Sequence, residues 1–218
     1  MGRKSLKESR QKEIIKAFYK VGKKEGLENA SIAKTAATID VNPSLVMHYF
    51  KTKEQLIYGL VEYILDKYLL IFTVPTKSRN KPKEKLLIVI NNIFSNKWNL
   101  LFDDSLSYSC YSLSFRDKII KQKYKALLEA LRQNLKLIIE ECNNAGVMDV
   151  KDSAHTADLI FVLVDGAYYY LSLTNDKKEY SKKLNKYKTF AIELLQLNKE
   201  TTSSRSLRKL KPKQSIPR

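Results

Sequence analysis

Ser31, Asn42 and Thr52 each stand where a side-chain oxygen can close the first turn of a helix. Ser31 precedes Ile32-Ala33-Lys34-Thr35-Ala36-Ala37-Thr38. Asn42 precedes Pro43, whose missing N–H costs nothing at the first helical position. Thr52 has Gln55 three residues on, the spacing of a capping box. This pattern predicts two short helices, Ser31 to near Thr38 and Asn42–Tyr49, joined by a tight turn, with a longer helix starting at Lys53. Two such helices form a helix-turn-helix, whose second helix is shaped to enter the major groove of DNA. The chemistry on offer is recognition, and bond-making chemistry has little to work with. The two histidines, His48 and His155, lack H-E-x-x-H spacing, and the chain has no glycine-rich phosphate loop, paired-cysteine spacing or G-x-S-x-G. The adjacent carboxylates Asp103-Asp104 and Glu140-Glu141 would point to different faces of a helix. We expect no enzyme, no metal site and no cofactor.

The run Val41-Asn42-Pro43-Ser44-Leu45-Val46-Met47-His48-Tyr49-Phe50, followed by Lys51-Thr52-Lys53-Glu54, resembles the N-terminal domain of the TetR family of bacterial transcriptional regulators. The Pro-x-Leu-x-x-His-Tyr-Phe form is most similar to the branch that represses choline–betaine operons. In detail the resemblance ends near Tyr68; beyond it only the general architecture carries over. It implies a set of DNA-facing residues. Ser31 would offer its hydroxyl and the helix N-terminus to a phosphate, with Ala33 and Lys34 on the turn nearest the groove edge. Asn42, Pro43, Ser44 and Leu45 would form the exposed start of the recognition helix, where base edges and thymine methyls are read. Met47, His48 and Tyr49 would lie along the sugar–phosphate backbone, and Lys53 would clamp a phosphate. Each residue taken alone has a plainer role: His48 packed beside Phe50, Tyr49 covering a small core, Lys53 a solvated first-turn lysine. The sequence departs from the family pattern at three places. Asp40 replaces a turn glycine, Met47 a tyrosine, and Thr35 an isoleucine or valine.

The elements that position these residues read as helical throughout: an all-α chain of about nine helices. A basic arm over 1–8 precedes a first helix from Ser9 to Glu25, where Ile14, Ile15, Phe18 and Val21 recur at helical spacing. The fourth helix runs from Lys53 to near Phe72 until Pro75 stops it, closing a DNA-binding domain over 9–74. Five helices follow, near 83–98, 104–112, 115–144, 153–174 and 179–198. Ser114 with Asp117 is the expected start of the longest, and Asn143-Asn144-Ala145-Gly146 its stop. Residues 199–218 are rich in Ser, Thr, Lys, Arg and Pro and are expected to be a disordered basic tail. The chain has 218 residues, 44% hydrophobic, enough for a sizeable core. No apolar run is long enough for a membrane span or a secretory leader, so a cytoplasmic protein is expected. Cys110 and Cys142 show no paired spacing and read as reduced core residues.

The net charge of +17 favours a polyanionic partner without naming it. By resemblance, 83–198 forms a helical domain that dimerises and binds a small-molecule effector. The near-continuous apolar run in 159–168 is too wide for one face of a monomer. A homodimer interface is therefore expected at Leu159, Val162, Leu163, Gly166, Ala167, Tyr170, Phe190, Leu194 and Leu197, with Leu184 and Leu195 nearby. Candidate effector residues are Phe94, Trp98, Phe102, Tyr108, Cys110, Tyr111, Phe115, Tyr124 and Tyr168, an aromatic set suited to an apolar or caged ligand. Asp103, Asp104 and Asp165 could balance a cation, and Asp104 could equally be a helix cap. Ordinary core packing explains both sets as readily. The expected function is a repressor released from a pseudo-palindromic operator by its effector. The alternative is a constitutive DNA-packaging protein without an inducer.

Overall fold

The computed structural model describes residues 3–79, 81–95 and 103–197, and among these it is built from nine α-helices. The first four are α1 (Arg3–Glu25), α2 (Ile32–Thr38), α3 (Pro43–Tyr49) and α4 (Lys53–Tyr68). The expected arm is, from Arg3 onward, the first turns of α1. No glycine or proline interrupts residues 3–21, so nothing in the chain forces a later start. The helix ends at Gly26, whose φ of 84° is open to glycine at little cost.

Helix α4 stops at Tyr68, earlier than expected, and tightens into a 3₁₀ turn, Leu69–Phe72, ahead of Pro75. After a second 3₁₀ turn, Thr76–Ser78, α5 (Pro82–Ile93) begins with proline in its first turn. It ends at the Phe94 cap rather than near residue 98. Then come α6 (Asp104–Ser112), α7 (Lys118–Asn144), α8 (Ser153–Leu171) and α9 (Lys177–Leu194). Helix α7 is capped by Asp117 and not Ser114. One Asp117 carboxylate oxygen accepts from the Ile119 and Ile120 N–H groups at 2.8 and 3.0 Å, while Ser114 is buried in the turn Leu113–Phe115. The loop after α7 is pinned by Asn143, whose side chain both donates to and accepts from the Val150 backbone. The expected 199–218 tail lies outside the described residues.

One hydrophobic core runs the length of the protein, from Ile14 and Phe18 on α1 to Leu184 and Leu195 at the far end. Helix α4 is its spine: Leu56, Leu60, Val61, Ile64 and Leu65 are buried at helical spacing. Three polar ties fasten α4 to its neighbours. The Tyr58 hydroxyl donates to Asp117 at 2.8 Å, Glu62 pairs with Lys123 on α7, and the Lys67 ammonium sits 4.4 and 4.3 Å from the ring centres of Tyr19 and Tyr63. Helices α7 and α8 are clasped by Arg132, which bonds Asp158 at 2.8 Å and Asp165 at 3.3 Å. Cys110 and Cys142 are buried and unbonded to each other. Among the described residues, no helix is long and apolar enough to cross a membrane and no His/Cys/Asp/Glu group is arranged for a metal.

Candidate DNA interface and effector site

Helices α2 and α3 are set by their caps. Ser31 Oγ accepts from the Lys34 N–H at 3.3 Å, and Asn42 Oδ1 from the Ser44 N–H at 2.9 Å. Between them Asp40 takes φ 50°, the left-handed turn position that aspartate tolerates, so the turn forms without glycine. Thr35 is fully buried, and its hydroxyl donates to the Ser31 carbonyl at 2.7 Å, so the polar group placed in this small core is satisfied. Helix α3 is anchored by the fully buried Val46. Pro43, Ser44, Met47 and His48 are exposed, and Leu45 and Tyr49 are half-buried. His48 meets the Tyr49 ring edge-on, 5.0 Å between centres, and is not packed into the core. Ala33 is exposed on α2. On α3 the exposed positions 43, 44, 47 and 48 share one face by helical spacing.

The two lysines of that set are differently placed. Lys53 Nζ donates to the Glu28 carbonyl at 2.7 Å. Lys34 Nζ donates to the Asn29 carbonyl at 3.0 Å and pairs with Glu25 at 2.6 Å. Lys34 holds the Glu25 carboxyl below its usual range. In the free protein both lysines bond to carbonyls of the loop between α1 and α2, Lys53 half-buried and Lys34 still exposed.

The aromatic set divides. Tyr111 stacks edge-on with Tyr124 (5.2 Å) and Phe115 (5.6 Å), and Tyr108 with Tyr169 (6.3 Å). The Tyr168 hydroxyl donates to the Ile93 carbonyl at 2.7 Å. Phe94 and Cys110 are core residues, and burial pushes the Cys110 thiol up to about 12. Phe115 is 77% exposed, at the outer edge of the cluster, where only its contact with the Tyr111 ring ties it to the set. Trp98 and Phe102 fall outside the described residues. The Tyr124 hydroxyl is buried without a hydrogen-bond partner among the described residues. Sequence reasoning missed Tyr68 and Tyr169. Tyr68 closes α4 and shares the electrostatic surroundings of Tyr108, Asp104 and Asp165, and burial raises its hydroxyl. Burial likewise raises the carboxyls of Asp104 and Asp165. Arg132 neutralises Asp165, while Asp104 has no ion pair or hydrogen bond of its own among the described residues. Asp103, and not Asp104, is the cap of α6, accepting from the Leu106 N–H at 3.0 Å.

On α8 and α9, Leu159, Val162, Gly166, Tyr170, Phe190 and Leu194 are exposed, joined by Tyr169 and Leu173. Val162 is 56% and Leu173 75% accessible, large values for apolar side chains on one continuous face. The rest of the expected set faces inward. Ala167, Leu184 and Leu195 are buried within the protomer, Leu163 packs on its core, and Leu197 pairs with Met148 in a short antiparallel bridge.

A family model described as the tetracyclin repressor-like C-terminal domain matches residues 81–197. The chain belongs to the TetR family. Within it, the HTH-type transcriptional regulator BetI of Rhizobium meliloti (strain 1021) is 23% identical over 164 residues, covering 75% of this chain and 78% of that protein. Among solved structures, a TetR transcription regulator from Haloarcula marismortui ATCC 43049 superimposes with a TM-score of 0.73 at 20% identity, covering 88% of this chain and all of the other. A transcriptional regulator of Saccharomonospora viridis, solved in complex with choline, gives 0.66 at 15% identity, with 88% and 100% covered. Likeness at these identities is one of fold. The protein is a DNA-binding transcriptional regulator of this family.

Proposed function

We propose that this TetR-family regulator is a cytoplasmic homodimeric repressor that leaves a two-fold operator when a compact organic cation binds its helical domain. The observation that carries the DNA reading is the face of α3: Val46 is buried while Pro43, Ser44, Met47 and His48 are exposed on a helix capped by Asn42. Pro43, Ser44 and Leu45 then read bases, largely through shape and thymine methyls, since none forms a bidentate pair. Ser31, Tyr49 and His48 bind phosphates, and Ala33 lets α2 approach the backbone. The exposed apolar face of α8 and α9 is the dimer contact, which sets the two α3 helices about 34–36 Å apart on successive major grooves.

The cation reading rests on Asp104. A carboxylate with no ion pair among the described residues, beside Tyr68 and Tyr108, supplies charge and aromatic faces, the two attractions a quaternary ammonium group uses. A regulator of similar fold holds choline, which has that chemistry.

Capture of random genomic fragments at near-physiological salt tests the DNA reading. One sharp pseudo-palindrome supports it; broad retention that vanishes with modest salt supports a packaging protein driven by net charge. Titrating choline into the operator complex tests the effector, with release expected for the wild type and lost in Asp104→Asn.

A further inference from the structure

We infer that the groove between the outer side of α1 and the turn after α2 is a binding site for a polyphosphate chain, free or carried by a nucleoside. The inference is independent of the operator and effector readings, since the groove is lined by neither the α3 face nor the aromatic cluster.

Helix α1 carries lysine at every fourth position from Lys12 to Lys24. Lys12, Lys16 and Lys20 stand in one row, about 6 Å apart along the helix axis. With Ala17 and Ile39 they line a hollow of about 520 Å³. That volume lies within the range of about 300–1,000 Å³ typical of small-molecule sites. Ala17 is buried and Ile39 half-buried, so the floor is apolar while the rim is cationic.

The charge of the rim is uncompensated. Lys12, Lys16 and Lys20 are exposed and form no ion pair or hydrogen bond among the described residues. Glu13, the one carboxylate among the lining residues, is taken by Arg10 at 2.6 Å. On the neighbouring side of α1, Lys67 has its ammonium held below the usual lysine range by burial first, then by Lys23 and Lys16. Like charges four residues apart destabilise a helix, so the row is arranged against the stability of α1 itself. A chain of phosphates relieves that repulsion, and lysine meets phosphate as a point charge on a flexible stem. A DNA duplex is the poorer occupant: its stiff backbone bridges a hollow and leaves the apolar floor bare.

Isothermal titration of inorganic tripolyphosphate into the full-length protein tests the site. At about 0.15 M salt, diffuse attraction to net charge is screened beyond about 8 Å. One chain should bind one tripolyphosphate saturably, and Lys16→Gln with Lys20→Gln should weaken binding by about tenfold or more. Removing the same charge from exposed lysines on α9, Lys177→Gln with Lys178→Gln, should leave it unchanged. ATP as a second probe distinguishes the sources. Tighter binding than tripolyphosphate places a nucleoside on the floor of Ala17 and Ile39; equal or weaker binding assigns the groove to the inorganic chain. Equal weakening in both double variants, or heat without saturation, means net charge alone and overturns the inference. So does a Lys16→Gln, Lys20→Gln variant that loses as much affinity for a random-sequence duplex as for tripolyphosphate, since the row then serves the DNA backbone. Because the titration needs neither operator nor choline, its failure is separable from failure of those readings.

Discussion

Lys53 and Lys34 have the same charge and nearly the same neighbourhood, yet they bind different things in the free protein. Lys53 rests on a neutral carbonyl, so its whole charge is available to neutralise a phosphate and release the counterions condensed there. Lys53→Ala should therefore weaken binding to every sequence and lower the slope of log affinity against log salt by about one unit. Lys34 is already neutralised by Glu25, so moving it to a phosphate exchanges one anion for another. Lys34→Ala should change the slope by clearly less than Lys53→Ala in the same filter-binding series, and equal changes would refute the assignment. Ser44→Ala should leave the slope intact and alter which operator variants are preferred. Asp104 adds a pH signature. Its carboxyl titrates above the ordinary aspartate range near 3.9 because burial disfavours the charged form. Choline binding needs that charge, so affinity should fall as pH drops, beginning above the range of an exposed aspartate. For the fold the sign is opposite: a raised carboxyl value means that protonation of Asp104 favours the native state as pH falls. Isothermal titration from pH 7 downward, with Asp104→Asn as the flat control, checks the ligand side.

At the level of helices, the apolar face of α8 and α9 makes the clearest demand. Val162→Asp places a charge in the centre of that face but on the outside of the protomer. Sedimentation should show a shift from dimer to monomer, with the protomer's own helicity retained; an unchanged dimer would remove the face from consideration. These helices also show what the residue pattern could convey. Caps were legible because they depend on local chemistry: Ser31, Asn42 and Thr52 accept the bonds their spacing predicted. Asp117 outcompeted Ser114 because its carboxylate reaches two backbone N–H groups at once, a choice that spacing does not encode. The apolar run 159–168 announced two buried faces without saying which belonged to which neighbour. Ala167 turned inward and Val162 outward for reasons that lie in α7 and α9. Tyr68 was similarly hidden: on its own helix it is one more apolar-stripe residue, and only the fold brings Asp104 and Tyr108 beside it.

Over the whole molecule, the continuity of the core governs behaviour. Ile64 is fully buried on α4, where residues from both halves meet. Ile64→Ala should cost about 2–5 kcal/mol in urea unfolding while the transition stays single, because neither half keeps an independent core. Splitting into two transitions would show that the halves are separable. The basic surplus acts at this scale too, drawing the protein toward any polyanion; under the proposed function, discrimination is left to the few side chains on α3. The dual role of Asp117, which starts α7 with one oxygen and receives Tyr58 from α4 with the other, bears on modular reuse. Reading heads of such regulators invite transplantation onto foreign sensing domains. For this protein a graft cut after α4 would sever Tyr58 from the carboxylate that it helps orient, leaving the recipient's long helix to find another start. A working chimera would have to carry residues 58 and 117 as an inseparable pair, so the natural unit of exchange is the junction and not the head.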